Sequence, residues 1–208
     1  MNDTRTLIAI PCMDMVATPF MYSLICMRRT GLSRVSVVSN TLVYKARNML
    51  AAEAIDSGCG RVLWLDSDMQ FEPGLMEQLS ADMDTGLDFV CGLYFRRIPP
   101  IAPVIYSEAE ERKTEVYMDY PKEQLFPVRA AGFGACMTST EMLKDVWDTY
   151  GAPFNPTERG MGEDMAFCIR ARHMGYKLWC DSRIKVKHIG TAAFGEEQYL
   201  RMRENAAR

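Results

Sequence analysis

Asp66-Ser67-Asp68 stands directly behind the apolar run Val62-Leu63-Trp64-Leu65. The carboxyl end of a buried strand is where open α/β sheets bind ligands, and two aspartates one residue apart there can both face a cation in the crevice. Hard carboxylate oxygens suit Mg²⁺ or Mn²⁺, which can bridge the oxygens of a diphosphate. The same spacing also serves as a strand end dressed with solvated aspartates, or as the N-cap of a following helix. An EF-hand fits poorly, because Gln70 and Phe71 stand where its loop carries Asp/Asn and Gly. A second acidic pair, Glu163-Asp164, follows Gly162 and opens a helix, where carboxylates can equally act as caps or dipole partners. His188 lies between the basic stretch 183–187 and Gly190, and its imidazole is of the type that ligates Mn²⁺. The other histidine, His173, is assigned no role.

These groups are far apart in the chain, so the elements between them must bring them together. Residues 6–10 form a short apolar run ended by Pro11, the pattern of a buried first strand, and 18–29 carry apolar residues at helical spacing. Residues 35–39 read as a second strand and 44–57 as an Ala/Leu/Glu-rich helix closed by Gly58. The continuously apolar third strand, 61–65, suggests burial on both faces. A helix over 73–85 and a strand over 88–93 follow. This alternation predicts an α/β fold with a mainly parallel sheet flanked by helices. Residues 96–127 hold five of the ten prolines and read as an excursion or hairpin. Residues 128–137 resume an apolar run containing Gly132 and Gly134. A helix is expected over 140–150, a Pro/Gly-rich loop over 151–162, a helix over 164–174, a strand over 177–180, and at most a polar helix in the tail 196–208.

At 208 residues, 48% hydrophobic and 25% charged, the chain suits one domain over 1–208, and disorder or fibrous repeats are excluded. The net charge of −3 gives no global basic field for nonspecific nucleic-acid binding. It is unevenly spread: residues 1–164 carry 15 basic and 23 acidic side chains, a net −8, and 165–208 carry 9 and 4, a net +5. Seven scattered cysteines without a CxxC pair predict reduced core thiols in a cytoplasmic protein. The apolar stretch 7–27 is broken by Pro11, Asp14 and Pro19, so no integral membrane segment is expected.

The ordered set Ala46-Arg47-Asn48, Val62 to Met69, Gly132-Phe133-Gly134-Ala135-Cys136, Gly162 to Phe167 and His188-Ile189-Gly190 resembles the GT-A glycosyltransferases, in particular small stand-alone family-2-like enzymes of the kind bacteriophages encode. The resemblance implies a GT-A fold, with a nucleotide-binding half over 1–95 and an acceptor and catalytic half over 96–195. It also implies a UDP- or GDP-sugar donor, a Mn²⁺ or Mg²⁺ ion, and transfer of the sugar to an acceptor hydroxyl. Carried onto this chain, it makes Asp68 the direct metal ligand, with Asp66 reaching the donor ribose or the metal's waters and His188 completing the site. Pro11, Cys12 and Asp14, with Ser39 and Asn40, fall where such enzymes hold base and ribose, alongside Ser67. Arg47 falls where an arginine reaches the donor, and Gly132 and Gly134 where backbone approaches donor sugar or acceptor; a strand bulge accounts for those glycines as simply. Asp164, with Glu163 beside it, falls at the base of inverting members.

The long C-terminal extension or membrane helices that many family-2 enzymes use for acceptors are not expected here. Acceptor binding is therefore expected from 96–127, from 151–162 or from a second copy in a homo-oligomer. The acceptor is a glycan or, in the minority reading, a hydroxylated base in DNA. Two other classes stay open at this point: a haloacid-dehalogenase-like phosphatase using Asp66 and Asp68, and a non-catalytic sugar-nucleotide-binding protein.

Overall fold

The computed structural model describes residues 5–190. The central sheet has seven strands: β1 (Thr6–Pro11), β2 (Ser33–Val38), β3 (Arg61–Leu65), β5 (Phe89–Leu93), β8 (Leu125–Val128), β10 (Ala135–Ser139) and β11 (Leu178–Lys185). Their spatial order is β2-β1-β3-β10-β5-β11-β8. β1, β2 and β3 run parallel, β10 is antiparallel to both β3 and β5, β11 is parallel to β5, and β8 closes the far edge antiparallel to β11. Two small ribbons join β4 (Met69–Gln70) to β12 (Lys187–His188), and β6 (Ile105–Glu110) to β7 (Lys113–Val116) and β9 (Ala130–Ala131).

The central strands are apolar without interruption because both sheet faces are covered. The period of two sends Leu7, Ala9, Val62 and Trp64 into one core and Ile8, Ile10, Leu63 and Leu65 into the other. The first core also holds Leu50, Ala51 and Ala54 of α2 (Val43–Asp56), Leu143 of α4 (Thr140–Tyr150) and Phe167 of α5 (Glu163–His173). The second packs beneath α1 (Thr18–Cys26) and α3 (Leu75–Met83), through Phe20, Leu75 and Leu79. All seven cysteines are free thiols.

Several boundaries differ from the expectation. Helix α1 stops at Cys26 rather than Arg29, because Met27 turns into the core and the Arg28 amide donates to the Pro73 carbonyl at 2.8 Å. The proline-rich stretch is partly a hairpin, β6–β7, but its end is β8, a strand of the main sheet. The strand expected at 177–180 and the basic stretch after it are one strand, β11, with a register shift between Asp181 and Lys185. The expected tail helix over 196–208 lies outside the described residues.

The apolar run over 128–137 divides at Gly132 and Gly134, and the reason is Tyr94. A Cβ on Gly132 would stand 2.0 Å from the Tyr94 hydroxyl, and one on Gly134 would stand 2.9 Å from the Met69 methyl and 3.0 Å from the Tyr94 ring. Tyr94 therefore fills the space that backbone without side chains leaves there, and its hydroxyl accepts from the Gly134 amide at 3.2 Å. Gly132→Ala should cost on the order of 1–3 kcal/mol by overpacking, measured by denaturant unfolding. Combining it with Tyr94→Phe should recover part of the loss; no recovery would place the conflict at Val104, whose methyl lies 2.8 Å from the same Cβ position.

Candidate active site

The parallel strands β1 and β3 end on one edge of the sheet, as do β5 and β11, while antiparallel β10 begins there. This edge gathers the loop after Pro11, the Asp66–Asp68 turn, the Gly132–Gly134 segment, Tyr94 to Arg97, and the chain leading to His188. A cleft of about 340 Å³ opens here, within the range of small-molecule sites. Pro11, Cys12, Met13, Thr41, Val43, Asp66, Ser67, Asp68 and His188 contribute to its walls.

The ribbon β4–β12 places the metal candidates. His188 pairs with Met69 and Lys187 with Gln70, and the Ile189 amide donates to the Asp68 carbonyl at 2.8 Å. Backbone pairing thus carries His188 across 120 positions of sequence to Asp68, leaving Nε2 3.4 Å from Asp68 Oδ2. Nδ1 lies 3.1 Å from the Phe95 carbonyl, an acceptor, so Nδ1 carries the proton there and Nε2 faces the carboxylate. The Tyr94 ring packs edge-on against the imidazole with centroids 5.7 Å apart. Burial works against the Asp68 carboxylate, but His188 and Arg97 outweigh it and hold its pKa below the ordinary value. The hydrogen bond to Asp68 raises His188 in turn, against partial burial.

The residues fit a divalent cation. One carboxylate and one imidazole nitrogen converge, and a cation, the Arg97 guanidinium, already rests on Asp68 Oδ2. Among the described residues no group of three or more His, Cys, Asp and Glu side chains could hold a metal. A site with so few side-chain ligands leaves coordination positions to phosphate oxygens and water, as Mg²⁺-type centres do.

Asp66 has a different environment. Helix α2 buries a stripe of Ala46, Arg47, Leu50, Ala51 and Ala54, which points Arg47 inward until its side chain is 2% exposed. Arg47 Nη2 donates to Asp66 Oδ1 at 2.8 Å and Nη1 to Glu163 Oε1 at 2.6 Å, with Asp164 Oδ1 3.8 Å away. The guanidinium also lies 5.4 Å from the centroid of Phe133. Burial alone would lower the Arg47 pKa, but Asp66, Asp164 and Glu163 raise it, so the charge is kept. Burial raises Asp66 and Glu163 despite Arg47, with Asp164 adding like charge to both. The Tyr94 phenol is pushed well up by burial, then by Asp66 and Asp164, and stays neutral. Glu163 and Asp164 sit in the first turn of α5, where the helix dipole favours their charge.

Arg47, expected at the donor, lies behind Asp66 and links the strand end to the acidic helix start. Gly132 and Gly134 pack on Tyr94 rather than forming a wall of the cleft. Asp14, Ser39 and Asn40 are exposed and do not line it, although the Asn40 amide, at a positive φ of 59°, donates to the Met13 carbonyl at 2.7 Å beside it. Sequence reasoning missed Arg97, Tyr94 and Thr41, since nothing in their local spacing marks them. Among the described residues no helix is long and apolar enough to cross a membrane.

No protein-family profile matches the sequence, and no curated protein matches it with significance. Among solved structures, A197 from STIV is similar with a TM-score of 0.66 and 19% identity, over 90% of this chain and 87% of that one. GalNAc-T7, solved with UDP, GalNAc and Mn²⁺, is similar with a TM-score of 0.63 and 14% identity, over 97% of this chain and 47% of that one. At such identities the likeness is one of fold, and the fold of this chain is the mixed α/β arrangement of the GT-A glycosyltransferases.

Proposed function

We propose that the protein is a divalent-cation-dependent glycosyltransferase that moves a sugar from a nucleoside-diphosphate donor to an acceptor hydroxyl. The observation that carries this reading is the meeting of Asp68 and His188 at the cleft, on a sheet of GT-A type. Residues 1–95 hold the donor, and 96–195 supply the catalytic helix and the acceptor side. Asp68 and His188 Nε2 would hold Mn²⁺ or Mg²⁺, which when bound would offset the charge that builds on the departing diphosphate. Asp66, fixed by Arg47, presents its other oxygen toward the donor. Asp164 takes the proton of the acceptor hydroxyl as that oxygen bonds to the anomeric carbon. The bond from that carbon to the diphosphate oxygen breaks, and the nucleoside diphosphate leaves with the electron pair. Attack from the face opposite the leaving group makes the reaction inverting.

Asp68→Ala should abolish Mn²⁺-dependent donor binding. Calorimetric titration of wild type and variant with UDP- and GDP-sugars, with and without Mn²⁺, checks this and also identifies the base. Equal donor affinity in the two proteins would overturn the assignment of Asp68.

A further inference from the structure

Arg97 follows β5 and lies directly on the cation-holding pair. Its Nη1 donates to Asp68 Oδ2 and, at 3.3 Å, to the Ile189 carbonyl, while His188 Nε2 lies 3.4 Å from that same Oδ2. One cationic nitrogen thus occupies the spot where a carboxylate oxygen, a carbonyl oxygen and an imidazole meet, the mixed hard-donor setting a small divalent cation takes. The guanidinium is held lightly. Its side chain is 45% exposed, and an ion pair so open to water is weak and exchangeable. Gly190 leaves it room, since a Cβ there would stand 3.1 Å from the Arg97 Cβ. Arg97 also lines the cleft with Ser67 and Thr41, so a diphosphate bound there comes within its reach. A guanidinium fork binds phosphate oxygens in bidentate fashion, and a lysine does not.

We propose that Arg97 is an exchangeable occupant of the divalent-cation position: it holds Asp68 in the free protein and transfers to the donor diphosphate when nucleotide and cation enter together. The inference rests on reading Asp68 and His188 as the cation-holding pair. Arg97 and a divalent cation cannot both sit on Asp68 Oδ2, because like charges so close repel. A cation arriving alone must displace Arg97 with no anion to receive it. With a nucleoside diphosphate present, the guanidinium has somewhere better to go. The two ligands therefore bind with positive coupling, and the coupling acts equally on both affinities.

The test is titration of Mn²⁺ into the folded protein, with free Mn²⁺ followed by electron paramagnetic resonance, with and without UDP. Arg97→Ala should bind Mn²⁺ alone about tenfold more tightly than wild type, about 1.4 kcal/mol, and UDP should enhance that affinity about tenfold less. Arg97→Lys keeps a charge on Asp68 but loses the fork. Its affinity for Mn²⁺ alone should stay near wild type while the coupling to UDP weakens. Unchanged or weaker Mn²⁺ affinity in Arg97→Ala, together with intact Mn²⁺-dependent UDP binding, overturns the role of Arg97 and leaves the site reading standing. Absence of Mn²⁺ binding in wild type and in Arg97→Ala, with and without UDP, overturns the site reading and this inference with it.

Discussion

Asp164→Asn should lower sugar transfer by about 10²–10⁴-fold and leave donor binding intact. Asparagine keeps the size and hydrogen-bonding capacity of the side chain, but it cannot accept a proton from an attacking hydroxyl. Of the two acidic residues that open α5, Asp164 is the one available for this work. Its nearest oxygen lies 3.8 Å from Arg47 and its side chain is 29% exposed, whereas Glu163 accepts directly from Arg47 at 2.6 Å and is more buried. Glu163→Gln should accordingly disturb the position of Arg47 more than proton transfer itself. Donor affinity by calorimetry and turnover by release of nucleoside diphosphate separate the two effects. Turnover of Asp164→Asn within about threefold of wild type would move the base elsewhere, with Glu163 the next candidate.

Arg47→Met should cost about 3–5 kcal/mol of stability, a large part of the 5–15 kcal/mol that a domain of this kind possesses. Methionine replaces much of the buried volume, so the loss comes mainly from leaving Asp66 and Glu163 without their cation. Both carboxyls already have raised pKa values in the folded protein, and without the guanidinium they rise further. A carboxyl whose folded pKa exceeds its unfolded value favours folding when protonated and opposes it when ionised. The deficit should therefore be small near pH 4 and widen as pH rises through the raised pKa values toward neutrality. Denaturant unfolding at pH 4.5 and 7.5 measures both ends. Equal deficits at the two would mean that lost packing, and not charge, is what Arg47 supplies.

The fold was legible where period and composition agreed. The apolar strands β1, β3 and β5 and the helices α2 and α4 are where their residue types put them, because burial on two faces leaves a continuous apolar signature. The reversed strand β10 left no such mark: direction is set by neighbours across the sheet, and Ala135–Ser139 reads alike either way. At the site, Asp66, Asp68 and His188 stood out by type and by their place after strands. Arg97 did not, because an arginine in a proline-rich stretch looks solvated until the ribbon β4–β12 sets Asp68 beside it. Arg47 stood out for its place in the motif, but its inward orientation follows from the packing of α2 against β1 and β3.

The basic surplus of the C-terminal part also has an internal use. Arg170 donates to the Pro153 and Asn155 carbonyls, Arg172 to those of Ala109 and Arg129, and Arg183 is held by Asp181. These cations fasten loops and strands to α5 and β11. Arg201 and Arg203 lie outside the described residues. Among the described residues, Arg170, Arg172 and Arg183 are thus engaged within the fold itself.

The two-residue ribbon that carries His188 to Asp68 gives assembly an order. The aspartates follow β3 and can take their places as β1 and β3 pair, but the imidazole comes only with β12, the last strand among the described residues. Until β12 closes on β4, the carboxylate stands without its nitrogen partner. On the proposed reading, competence to hold a cation would thus come only with the pairing of β12 and β4.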